Sequence, residues 1–444
     1  MKRSIPLAII FLLVIEAGCI SNNKQTADKE QLKNTKSVTD KFSGESSDKS
    51  AKMPVDEQNT DVDITNWRGP KSTGVFPETG LLKKWPENGP EVLWHYDGLG
   101  NGFSSPVFMN NKIYLTGMEG DMGYLYILTD EGQFVRKYEI GEAWNKSYPG
   151  SRSTPTVAGK LVYTYTGQGI LTCIDEEQEE VIWQINVIDR FNGNNIRWGV
   201  TESVVVDGKK VYCSPGGRNH NIVALNRFNG ELIWSVSAEK ESSAYCTPIL
   251  VNYRDRHLLV TMMASHIIGI DAEKGEFLWS HPQPNRYSVH ANSPVYHDGG
   301  IFCTSGYGRG GVKLELDEDG DDVSETWFKE ELDNRMGGAV LVDGYIYGSG
   351  DQNRGWKCID WETGELMYSD GQFMNGVTIA ADGMLYLYTQ RGELALVRAT
   401  PEKFELVSET RVNMGTGQHW AHPVINNGRL FVRHGSVLIA YKIK

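Results

Sequence analysis

One pattern recurs along the chain and leaves few folds open to it. "TCIDEEQEEVIWQIN", "VALNRFNGELIWSVS", "IGIDAEKGEFLWSHP" and "KCIDWETGELMYSD" share it. An apolar strand ends in Asp or Asn, a polar turn follows, and an aromatic closes the next strand: Trp183, Trp234, Trp279 or Tyr368. Weaker copies are "YILTDEGQFVRKY" and "LELDEDGDDVSETWF". Ahead of each copy stands a second hairpin, such as "SSPVFMNNKIYLTG", "STPTVAGKLVYTYT", "NSPVYHDGGIFCTS" and "AHPVINNGRLFVRH". Two hairpins give four strands and a unit of about 40–50 residues, the size of a propeller blade. No long stretch at helical period competes with this reading.

Counting units gives about eight. The last stops three strands in, at "VLIAYKIK", and the missing fourth strand stands near the start as "EVLWHY", with Trp94 at the docking position. An N-terminal strand completing the C-terminal blade closes the ring and removes the sheet edge an open array would expose. The expected fold is all-β: an eight-bladed propeller of four-stranded blades over residues 63–444, one domain rather than two.

The N-terminus is a processing signal. Lys2 and Arg3 precede the apolar run "IPLAIIFLLVI", too short to span a membrane comfortably. The run leads to "EAGC" and Cys19, and resembles a bacterial lipoprotein signal, although Glu16 stands where that pattern usually has Leu. The resemblance implies a signal peptide over 1–19, lipidation of Cys19, attachment to the membrane through that lipid, and a place in the bacterial cell envelope, periplasmic or at the outer-membrane surface. Residues 20–62 are polar, mixed in charge and poor in large apolar side chains. They read as a disordered tether holding the propeller on the order of 35 Å from its anchor.

The other cysteines, Cys173, Cys213, Cys246, Cys303 and Cys358, stand singly in apolar strands, so buried free thiols are expected and zinc is not. A net charge of −13 argues against general nucleic-acid binding, which needs a basic surface. "GYGRGG" matches GxGxxG at Gly306, Gly308 and Gly311, but a strand follows it instead of the helix that would hold a pyrophosphate. "DEDGDD" at 317–322 sits where other units have a surface turn, and its glycine is misplaced for a calcium loop. No metal site is expected from residue spacing.

The repeat D-x-x-x-G-x-x-x-W, preceded by SPxxxDGxxY, resembles the pyrroloquinoline-quinone-like (PQQ-like) propeller repeat over Trp67 to Lys444. "NWRGPKSTGV" looks like the segment that leads into secreted bacterial members. That family holds quinoprotein dehydrogenases and also non-enzymatic lipoproteins like the outer-membrane assembly factor BamB, so the resemblance fixes the fold and leaves activity open.

In such a ring the first strand of each unit lines the central channel, and the residues leading into it converge on one mouth. The candidates for a ligand site there are Arg152, Glu202, Tyr245, His290, Asn292, Arg335, Asn375, His419 and His422, with Trp198 and Trp420 beside them. Convergent polar and aromatic groups in a concavity are the usual sign of a binding site. Three functions fit. The first is a lipid-anchored binding or scaffold module with a polar ligand site, a monomer with protein partners or an acidic glycan. The second is a PQQ-dependent alcohol or sugar dehydrogenase; the family resemblance implies PQQ with calcium, for which Glu202 and Asn292 are the loose candidates. The third is a lyase on acidic glycans, with Arg335 or Arg152 neutralising a uronate and His290, His422 or Tyr245 as base. Histidines near pKa 6.5 would gain charge on acidification, so anion binding is expected to tighten below about pH 6.5.

Overall fold

The computed structural model describes residues 60–444. The expected signal peptide, Cys19 and most of the tether lie outside the described residues; Val62, at the tether's expected end, packs against the apolar core of blades 2 and 3.

Eight antiparallel sheets form the ring. The inner strands of blades 1 to 4 are Val107–Met109, Thr156–Ala158, Val205–Asp207 and Ile249–Tyr253. Those of blades 5 to 8 are Val295–His297, Val340–Val342, Gly376–Ala381 and Val424–Asn426. Three further strands follow in order in blades 1 to 7. Blade 8 has two of its own, and Val92–Tyr96 pairs with Val437–Lys442 to supply the fourth. The expected ring closure is therefore present. The only α-helix among the described residues is one turn, Val187–Arg190, and no helix there is long and apolar enough to cross a membrane.

The repeat motif has a physical meaning between blades. Its Asp caps the tight turn: Asp271 Oδ1 accepts from the backbone N–H of Glu273 and Lys274 at 3.0 and 2.9 Å, and Asp360 does the same for Glu362 and Thr363. Its Gly sits at positive φ, as at Gly275 (φ +72), and leaves room above the turn for the aromatic of the preceding blade. Trp183, Trp234 and Trp327 lie on Gly230, Gly275 and Gly364 of the next blade. Each also donates its indole N–H to a carbonyl of that turn, Arg227, Ala272 and Trp361, at 3.0–3.2 Å. Trp94 lies likewise on Gly132 of blade 1. Trp279 departs from the pattern: it packs on Gly269 of its own sheet, and its indole nitrogen has no partner.

All five cysteines of the propeller are buried and unpaired, as expected. "GYGRGG" is the hairpin turn between Gly300–Ser305 and Gly310–Leu316. The 317–322 segment is a surface turn onto which Arg254 and Arg256 donate at 2.7 and 2.9 Å.

The "NWRGPKSTGV" segment is a plug. Ile64–Thr65 pairs with the inner strand of blade 2, and Val75–Phe76 runs parallel to that of blade 7. Between them Arg68 is buried, pairs with no carboxylate among the described residues, and donates to the carbonyls of Ala339 at 2.5 Å and Thr73 at 3.0 Å. A second cavity, about 740 Å³, is walled by the plug, from Ile64 to Glu78, together with inner strands of the ring.

Candidate functional site: an aromatic and arginine cavity at one channel mouth

All inner strands point the same way, so the residues that lead into them gather at one end. A cavity of about 480 Å³ opens there. Trp67 of the plug forms part of its lining, ring to ring with His422 at 4.8 Å. Two aromatic arcs make the walls. Phe103 and Tyr148 each meet Trp420 at 5.0 Å. On the other side Tyr245, Trp198, Tyr287 and Tyr307 follow one another at 6.3, 6.1 and 4.8 Å. Arg152, Arg197 and Arg335 also line the cavity, and among the described residues no Asp, Glu or Lys does.

Extended chain alternates its faces, and this decides which candidates meet. Thr154, Ser203, Thr247 and His422, each two places before its strand, line the cavity, as do Arg152, Thr201, Tyr245 and Trp420 two places earlier. Residues of the other parity turn away. Glu202 is buried between blades, with one carboxylate oxygen unpartnered. Asn292 donates to the carbonyls of Thr304 and Asn334 at 2.9 and 2.7 Å. His290 is bonded to the Ala264 carbonyl at 3.2 Å. Asn375 donates to Asp351 at 3.2 Å, and His419 stacks on His434 at 3.7 Å beside the Tyr388 hydroxyl; neither lines the cavity. Of the nine candidates, Arg152, Tyr245, Arg335 and His422 come together.

The small residues that the sequence leaves without a role tie the blades together. The backbone N–H of Ser105 donates to Thr154 Oγ1, that of Thr154 to Ser203 Oγ, and that of Ser203 to Thr247 Oγ1, at 2.9–3.0 Å. This hydroxyl belt fixes the mouth. Two carboxylates behind the wall, Asp333 buried and Asp351 half-buried, went unnoticed in the sequence. Asp333 accepts from the backbone N–H of Asp351, Gln352 and Gly308 at 2.8–3.0 Å, holding two loops together. Asp351 then accepts from Tyr307 N at 3.1 Å and pairs with Arg335 Nε at 3.4 Å. Phe103, Tyr148, Arg197, Tyr287 and Tyr307 were also missed, because they lie outside the repeat. Tyr148, Tyr245 and Tyr307 have φ of 45°, 76° and 61°, and they are the only aromatic residues among the described ones at positive φ. A bulky side chain in that region is strained, and such strain concentrates at functional sites.

Burial controls the charges. The Arg152 guanidinium donates to the carbonyls of Ser147 and Tyr148 and meets no carboxylate among the described residues, and burial lowers its pKa to about 10. Burial, with Arg68 nearby, pushes His422 down to about 3, and burial brings His290 to about 4. His419 falls to about 4 through burial and the adjacent His434. The expectation that these histidines charge near pH 6.5 is thus overturned. Glu202 is raised to about 8 by burial, against hydrogen bonds from Ser214. Between about pH 4.5 and 8 the folded protein holds a proton there that the unfolded chain has lost, so stability falls as pH rises through that window. Glu202→Gln should remove this slope: its melting temperature should exceed the parent's at pH 8 by more than at pH 5, and equal gains at both would place the carboxylate in water.

The donor set bears on the cofactor that the family resemblance implies. Calcium takes oxygen ligands with carboxylates prominent among them, and this lining offers none, so the residues present do not fit a calcium–quinone pair. Elsewhere, Asp207, His257 and Glu273 approach one another, but Lys210 already pairs with both acids at 3.3 and 2.9 Å.

Eight four-stranded blades, cross-blade Trp–Gly docking and a polar, aromatic channel mouth define a PQQ-like β-propeller. A family profile described as outer membrane protein assembly factor BamB matches residues 92–369, well over half of the chain, and the chain belongs to that family. Among solved structures it is similar to BamB from Moraxella catarrhalis, at 12% identity and TM-score 0.57, over 80% of this chain and 100% of that one. A europium-containing methanol dehydrogenase aligns at 11% identity and TM-score 0.61, over 85% and 91%. The quinohemoprotein alcohol dehydrogenase of Comamonas testosteroni aligns at 11% and 0.58, over 84% and 79%. At these identities the likeness concerns the fold. No curated protein sequence matches.

Proposed function

We propose that this chain is a non-catalytic binding propeller of the bacterial cell envelope, held to the membrane through a lipid on Cys19, that captures an anionic ligand at the aromatic channel mouth. The observation that carries the reading is the lining itself: three arginines and eight aromatic rings, without one acidic side chain, in a protein of net charge −13. The negative exterior repels anions generally, so a local cationic concavity is selective. An assembly role with protein partners, as the family description suggests, is compatible with a rigid ring on a tether.

Capture is favoured over catalysis by the state of the bases. A general base works best with a pKa near the operating pH. The Tyr245 hydroxyl is pushed up to about 12 by burial and accepts from Trp198 N at 3.2 Å, while His422 is held near 3. Neither suits proton abstraction from a uronate. PQQ remains a candidate as a tricarboxylate ligand, independent of calcium.

Calorimetry with PQQ and with acidic and neutral oligosaccharides at two salt concentrations tests the reading. Anions should bind, neutral analogues should not, and affinity should fall with salt. Because the nearby histidines are already neutral, affinity should change less than about twofold between pH 5 and 8. A clear tightening below pH 6.5 would mean that His422 is solvated and charged, and a preference for neutral sugars would remove the arginines from the site.

A further inference from the structure

The cavity has two poles, and each repeats the same chemistry. On one side Arg152 lies over Phe103 at 5.9 Å, and Phe103 and Tyr148 flank Trp420. On the other Arg335 lies over Tyr307 at 5.7 Å and Arg197 over Trp198 at 4.8 Å, with Tyr287 between the two rings. The poles come from different blades: 1, 2 and 8 for the first, 3 to 6 for the second. Neighbouring rings meet at 44–58° along the first arc and 45–70° along the second, so neither wall is a flat slab. Strained tyrosines stand on both: Tyr148 on the first, Tyr245 and Tyr307 on the second.

A ligand with one charged ring would use one pole and leave the other idle. A chain of rings with one anion per ring uses both. Aromatic faces tilted against one another pack the apolar C–H faces of puckered sugar rings, and a guanidinium fork matches a carboxylate. Among the described residues no carboxylate pairs with Arg152, whose guanidinium donates to two carbonyls, and a partly buried charge of that kind calls for a counter-charge from the ligand. Besides the Tyr307 side chain, Arg335 has a 3.4 Å contact to Asp351, which is shared with Tyr307 N and Asn375.

We infer, on the footing that this mouth is an anion-binding site, that its ligand is a carboxylate-bearing oligosaccharide of at least two sugar rings, one carboxylate read by Arg152 and another by Arg335. The full propeller should be titrated calorimetrically with mono-, di- and trigalacturonate, the methyl ester of the disaccharide, a sulfated disaccharide and PQQ. The disaccharide should bind about 10-fold or more tighter than the monosaccharide, and esterification should cancel that gain, as expected for a charge-assisted bond gained or lost. Arg152→Gln and Arg335→Gln should each bring the disaccharide down to the affinity of the monosaccharide, and Arg152→Lys, which keeps the charge without the fork, should fall between. Unchanged melting curves certify the fold of each variant; if Arg152→Gln melts early, Arg335→Gln alone decides.

Equal affinity for mono- and disaccharide, tighter binding of the sulfated sugar, or binding of PQQ with no uronate bound would each overturn this inference while leaving the anion-binding reading intact. Binding of none of these anions would overturn both.

Discussion

Replacing residues 91–96, "EVLWHY", by a Gly/Ser stretch of equal length should cost the propeller about 5 kcal/mol or more and make it associate. The replacement removes the outer strand of blade 8, whose ladder runs from Val92 opposite Tyr441 to Tyr96 opposite Leu438, and the Glu91 carbonyl that accepts from Lys442 N at 2.8 Å. It also removes Trp94, which bridges Phe431 of its own blade at 5.8 Å and Gly132 of blade 1. Loss of a large docked aromatic alone costs about 3–5 kcal/mol. The bared Val437–Lys442 edge is a template for pairing with another chain. Urea midpoints and size-exclusion profiles check both effects, with deletion of the polar residues 20–53 as the control. If the control and the replacement unfold at the same urea concentration, the ring is not held by that strand.

Closure was legible in the sequence because Trp94 repeats a docking position and the last unit was one strand short. The blades were legible for a similar reason: the job of Asp271, Gly275 and Trp234 is repeated by their counterparts in several blades, and a job done many times leaves a period. The plug had no copies. Trp67 and Arg68 could be recognised as a segment leading into the ring, yet nothing local says that the chain enters the channel, because the contacts that hold it, such as Arg68 to the Ala339 carbonyl, are 271 residues apart. The site was half legible for a different reason. Residue type singled out Glu202, His290 and Asn292 together with Arg152, Tyr245 and His422, but alternation along the strand lead-ins sends the first three between blades. A strict count of two from the residue before each Pro-Val would have separated them. The charge of His422 could not be read from sequence at all, since it depends on burial beside Arg68.

Trp234→Ala should destabilise the ring by about 3–5 kcal/mol, and by about 1 kcal/mol more than Trp279→Ala. Both side chains are buried, so the cavity left behind is similar. They differ in what they join. Trp234 spans two blades, with its face on Gly275 and its indole N–H donating to the Ala272 carbonyl at 3.2 Å. Trp279 lies on Gly269 of its own sheet, inside an apolar core shared with blade 5, and its nitrogen makes no bond to the turn of that blade. The glycine provides the internal check. A Cβ at Gly275 would lie 2.5 Å from Trp234 Cδ2, and its φ of +72 strains any other residue, so Gly275→Ala should be costly on its own. Once the indole is gone, only the backbone strain remains. The double variant Trp234→Ala/Gly275→Ala should therefore lose less than the sum of the singles, by about 0.5–3 kcal/mol. Additive losses in urea unfolding would show that the ring does not rest on that glycine, and the same doubt would then reach Trp183 on Gly230 and Trp327 on Gly364.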